Sequence, residues 1–203
     1  MTPASFSPCE RERTRRFFNL ASVVYPLIDR QLGPVYRYVL SRLDLDPASS
    51  VLDLATGTGT LAGAFAQRGH ATTGVDFATH LLRRARRRVP TVTFREMDLA
   101  DLEQIPDSSF GTVSMGFFLH GVDAEFRAFV LGHAARIACD QVVVVDYGSR
   151  GNLLVRFIEW VEGSRYHEFL AASRADEFRR AGLGISREVR TRGFGRAWLC
   201  RHL

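Results

Sequence analysis

Lysine is missing altogether: all 27 basic residues of this 203-residue chain are arginine. That absence points to a GC-rich coding sequence. With 22 acids against them, the net charge of +5 is only a mild push toward nucleic acid or acidic ligands. Cysteine is scarce too. Cys9, Cys139 and Cys200 are odd in number and lack metal-ligand spacing, which argues for reduced thiols and no metal. No apolar run reaches membrane-spanning length. The first ten residues have neither the basic start nor the apolar core of a signal peptide. These absences lead to the expectation of a soluble, cytoplasmic protein. Hydrophobic content of 46% and charged content of 24% are ordinary for a globular chain, and the length suits one α/β domain better than two.

What the chain does have is alternation. Phe17, Leu20, Ala21 and Val24 recur at helical spacing, as do Val35, Val39, Leu40 and Leu43, so 10–45 is predicted to be a helical cap ended by Asp46-Pro47. Short apolar strands are then predicted at 51–54, 71–75, 92–95, 112–117 and 142–145. Helices at 61–67, 79–88 and 124–138 separate them. After Gly148 the pattern predicts helices at 153–162 and 168–181, then two strands, 185–190 and 196–201, around a turn at 193–195. The fold class read from this is α/β: a Rossmann-like, seven-stranded, mostly parallel sheet with an antiparallel C-terminal hairpin and an N-terminal helical cap. No internal repeat or low-complexity segment divides the chain.

One stretch stands out. Val51, Leu52 and Leu54 enclose Asp53, and the run breaks into Gly57 and Gly59 just before helix-forming sequence. That is the pattern of a buried strand, a tight turn and a helix whose N-terminus faces a ligand. Glycine serves where backbone must turn sharply and lie against a nucleotide without a Cβ in the way. Asp76 ends the next apolar run, and Asp98 follows the third, so three acids mark a nucleoside-binding edge.

Asp53-x-Ala55-x-Gly57-x-Gly59 with Asp76 resembles the cofactor pattern of class I S-adenosylmethionine-dependent methyltransferases. The run from Asp98 to Phe110 and the aromatic segment 17–29 resemble the ubiquinone/menaquinone-biosynthesis type in particular. The resemblance covers most of the chain and implies a division into a cap or lid (1–45), a cofactor-binding core (46–148), and acceptor-side helices with the hairpin (149–203). It also implies roles. Ala55, Thr56, Gly57, Thr58 and Gly59 form the loop against ribose and methionine, with Ala55 where most such enzymes have glycine. Asp76 accepts from the ribose hydroxyls, and Asp98 from the adenine amino group with the Leu99 amide beside it. Phe77 flanks the adenine, Asp53 helps hold the methionine amino group, Gly116 lines the site, and Tyr25 closes over it. The implied cofactor is S-adenosyl-L-methionine and the implied acceptor a small molecule or lipid-like compound.

Methyl transfer needs a base only if the acceptor must lose a proton. His120, just after the fourth strand, and Tyr147, at the end of the fifth, are the candidates, with an ordinary loop histidine and a packing tyrosine as the rival readings. The five arginines from Arg83 to Arg88 leave Leu81, Leu82, Ala85 and Val89 as the buried stripe, which favours a solvated helix face; RNA stays open as a partner. Two other functions fit parts of the pattern. A non-catalytic or RNA-binding protein of this fold would keep the cofactor without turnover. An NAD(P)-dependent oxidoreductase would use Gly57-x-Gly59-x-x-Ala62, yet it leaves Asp98 without a task.

Overall fold

Val51–Leu54 form β1, a strand buried along its whole length, as an apolar run in a sheet covered on both faces should be. In the computed structural model, residues 25–149, 164–191 and 193–203 are described, with backbone alone over 25–29. The chain order is α1 (Tyr25–Leu40), β1, α2 (Thr60–Ala66), β2 (Thr72–Asp76), α3 (Thr79–Arg88), β3 (Thr93–Glu96), β4 (Phe110–Gly116), α4 (Ala124–Ile137), β5 (Ala138–Tyr147), α5 (Tyr166–Ala171), α6 (Arg174–Arg180), β6 (Leu183–Arg190) and β7 (Gly195–His202). Short 3-10 segments lie at Leu99–Gln104, kinked at Asp101, and at Leu119–Gly121. The sheet order is β3-β2-β1-β4-β5-β7-β6. The first five strands pair in parallel, and β7 and β6 add in antiparallel sense. The strand order reverses between β1 and β4, so their carboxyl ends open the crevice where ligands bind in such sheets.

Alternation along the strands divides the core. On β5, Val143 and Val145 face Tyr36, Val39 and Leu40 of α1 and Leu61 and Phe65 of α2. Val142 and Val144 join Leu52, Leu54 and Met115 under Phe126, Val130 and Leu131 of α4, where Phe169 and Phe178 also pack. Leu82 and Ala85 of α3 close on Phe94, the stripe expected of that helix. Its arginines 83, 86, 87 and 88 are exposed.

The cap helix ends at Leu40 rather than 45, β4 and β6 each start two residues early, and two larger departures have a visible cause. The helix predicted over 168–181 is two helices, α5 and α6. Ala172 is extended (ψ 150°), and the Ser173 hydroxyl caps α6 by accepting from the Asp176 amide. Serine at that position gives the backbone a local alternative to a continued helix. β5 begins four residues before the apolar run, because Ala138 pairs with Phe110 across an irregularity in the ladder. The helix predicted at 153–162 and cap residues Phe17 and Phe18 lie outside the described residues.

Candidate functional site

The β1–α2 loop turns on three left-handed residues: Ala55 (φ 51°), Gly57 (φ 54°) and Gly59 (φ 73°). Alanine at 55 carries the strain that glycine would avoid. The two glycines serve different ends. A Cβ on Gly59 would lie 2.6 Å from the Phe94 ring, so that position is glycine to let α2 close on β3. A Cβ on Gly57 would meet nothing nearer than Leu81 Cδ1 at 4.0 Å, so it would project into the open space the loop faces.

Carboxylates hold this loop from below. Asp53, 1% exposed, accepts from the Thr56 hydroxyl (2.6 Å) and the Ser114 hydroxyl (2.7 Å). Asp76 accepts from the Gly57 amide through Oδ2 and the Ala78 amide through Oδ1, each at 2.8 Å. Burial pushes both acids up to about 6, against the lowering effect of those donors. The Phe77 amide donates to Asp76 as well, and three amides leave part of the carboxylate's acceptor capacity for ligand hydroxyls. Asp98, half-buried, caps the 3-10 turn that follows by accepting from the Ala100 amide at 2.9 Å. Met97 N donates to Asp76 O (3.0 Å), which draws the end of β3 toward that of β2.

The expected loop residues do meet at one edge. Thr56 and Thr58 are buried, Ala55, Gly57 and Phe77 half-buried, and Leu99 buried. Gly116 lies across the crevice on β4, where a Cβ would stand 2.5 Å from the Tyr36 hydroxyl. The Tyr25 side chain is outside the described residues. Among the described residues, no cluster of His, Cys, Asp and Glu is placed to hold a metal.

His120 falls in the 3-10 turn after β4, and its Nδ1 lies 2.7 Å from Asp146 Oδ1 at the end of β5. Asp146 is fully buried and also accepts from the backbone amides of His120 (3.3 Å) and Tyr147 (2.7 Å). Tyr147 stands edge-on to His120, with ring centroids 4.8 Å apart, and to Phe117 at 5.1 Å. Three contributors escaped the sequence reading. Ser114 and Asp146 depend on strand register, which no local pattern announces. Tyr36 read simply as part of the cap.

The sheet and glycine loop define the class I methyltransferase fold. It is shared with the magnesium protoporphyrin IX methyltransferase of Synechocystis PCC 6803, solved with bound S-adenosylhomocysteine, at a TM-score of 0.62 and 18% identity, over 86% of this chain and 83% of that one. Within it, residues 51–140 match the family described as a methyltransferase domain. The ubiquinone/menaquinone biosynthesis C-methyltransferase of Geobacter sp. strain M21 is 25% identical over 151 residues, 68% of this chain and 64% of that protein. A phosphatidylethanolamine N-methyltransferase of Cereibacter sphaeroides is 33% identical over 108 residues, 49% of this chain and 51% of its own. The chain thus spans less than two thirds of the length of these curated relatives. The resemblance to class I S-adenosylmethionine-dependent methyltransferases of the quinone-biosynthesis type is borne out by these likenesses. No helix among the described residues is long and apolar enough to cross a membrane.

Proposed function

We propose that the protein is an S-adenosylmethionine-dependent methyltransferase acting on a small, lipid-like acceptor in the cytoplasm. The observation that carries this reading is the open space before Gly57, bordered by a buried carboxylate, Asp76, that already orders the loop amides. The cradle fits the cofactor. Asp76 would accept from the ribose hydroxyls, Asp98 and the Leu99 amide would meet the adenine edge, and the α2 N-terminus would face the carboxylate. Asp53 would act on the methionine ammonium through Thr56 and the loop it holds. When bound, the cofactor supplies an electrophilic methyl group on sulfur. The protein's share is alignment and exclusion of water. The relatives' named acceptors, quinones and a phospholipid, favour an apolar acceptor met on the 149–203 side of the crevice.

Titration calorimetry with S-adenosylhomocysteine tests the reading. The folded chain binds it, and Asp76→Ala weakens binding by about 2–4 kcal/mol through lost charge-assisted hydrogen bonds. Folded protein that takes up no ligand refutes the assignment.

A further inference from the structure

We propose that Asp146 is a positioning residue that holds His120 as a proton acceptor, which makes the acceptor one that gives up a proton during methyl transfer. The inference rests on the methyltransferase reading above and adds the chemistry of the acceptor side. A carboxylate can only accept, so the 2.7 Å contact between Asp146 Oδ1 and His120 Nδ1 requires the proton on Nδ1. The ring's lone pair then lies on Nε2. The carboxylate is itself held: it is fully buried and takes three donors, the His120 ring and the amides of His120 and Tyr147. The backbone amide of the same histidine binds Oδ2, so the acid fixes both the position and the tautomer of residue 120.

The surroundings keep that geometry dry and stiff. Phe117 and Phe169 stand edge-on to the imidazole at 6.4 Å and Tyr147 at 4.8 Å. Phe169 is in turn covered by the Arg174 guanidinium, 3.9 Å from its centroid. Among the described residues, the charge of Arg174 on α6 interacts with the Asp146 carboxylate. Gly116, expected to line the cofactor, lies four residues before His120 on the same strand end. The pair therefore stands at the carboxyl edge of the sheet, just after β4 and at the end of β5.

In the step, the hydroxyl proton of the acceptor passes to His120 Nε2. The electron pair released, on oxygen or on a ring carbon conjugated with it, forms the bond to the methyl carbon. The pair of the broken S–C bond stays on sulfur. A neutral amine attacks with its own lone pair and gives up its proton only after the methyl group has arrived.

Nitrogen-15 NMR of the full chain, labelled at histidine, reads the tautomer without turnover. His120 carries its proton on Nδ1 at pH 8, and Asp146→Ala, which removes the acceptor, lets the Nε2-protonated tautomer return. A proton on Nε2 of the wild type at pH 8, as the other tautomer or as imidazolium, overturns the proposal. Activity is read with labelled methyl donor on a prenylated 1,4-naphthoquinol and, separately, on phosphatidylethanolamine vesicles. The quinol is methylated. His120→Ala lowers kcat on the order of 100-fold and Asp146→Ala on the order of 10-fold, and together they go no further than His120→Ala alone, with S-adenosylhomocysteine affinity unchanged. The acid limb of the kcat–pH profile disappears in His120→Ala. Turnover within twofold of wild type in either variant, or transfer to the vesicles alone or to neither acceptor, overturns it. A wild type that binds no S-adenosylhomocysteine sinks the underlying methyltransferase reading instead.

Discussion

Two glycines, one on each side of Thr58, divide the labour of the loop. Gly57 faces open space and Gly59 faces the Phe94 ring. Both have positive φ, so a methyl group at either costs about 1 kcal/mol of backbone strain. Only at Gly59 does the added carbon also collide with the core, at a further cost of about 1–3 kcal/mol. Gly57→Ala is therefore expected to lower urea stability slightly and cofactor binding strongly. Gly59→Ala is expected to lower stability first. Equal stability losses with equal binding losses, in paired urea and calorimetric titrations, would show that both positions serve the same end.

Among the elements, α5 and α6 depend on one buried cation. Arg127 of α4, 1% exposed, donates to the Val122 carbonyl (2.6 Å), Glu168 of α5 (2.8 Å) and Glu177 of α6 (3.2 Å). Glu177 also pairs with Arg174, whose other nitrogen donates to the Phe169 carbonyl at 2.7 Å. Burial holds the Arg174 guanidinium below its usual range, countered mainly by Glu177. This brace substitutes for the continuous helix that the spacing over 168–181 predicts, and it seats Phe169 beside His120. Arg127→Met keeps the stem's packing, takes this donor from the Val122 carbonyl and leaves the largely buried Glu177 to Arg174. It is expected to cost on the order of 1–3 kcal/mol in urea unfolding. A change below about 0.5 kcal/mol would mean the ion pairs are incidental to how α5 and α6 sit.

Over the whole molecule, the candidate site is held at the expense of stability. Asp53 and Asp76 both titrate at about 6 when folded, against a model-peptide value of about 3.9 in the unfolded chain. Between pH 4 and 6 the folded state thus binds more protons than the unfolded one. Each acid's contribution falls as pH rises through that window: its cost is absent below about pH 4 and complete above about pH 6. Asp53→Asn removes one such cost: of the Thr56 and Ser114 hydroxyls, the one facing the new amide nitrogen turns to accept, and the other still donates to the amide oxygen. The variant's stability advantage is expected to grow from near zero at pH 4 to on the order of 3 kcal/mol at pH 7, measured by urea unfolding across that range. A flat difference across the range would mean that burial of this charge is not what the site costs. The strand–turn–helix unit, the five parallel strands, the hairpin and the loop residues from Ala55 to Gly59 were all legible in the sequence. Period-two apolar runs, helical stripes and glycine are local signals with local causes. So were the three acids at successive strand ends. What tertiary structure alone decided was partnership. Asp53 faces Ser114, 61 residues away, and His120 faces Asp146, 26 away, because parallel strands bring distant residues side by side. Register of that kind leaves no mark along the chain, which is why the histidine could be picked out beforehand and the carboxylate that orients it could not.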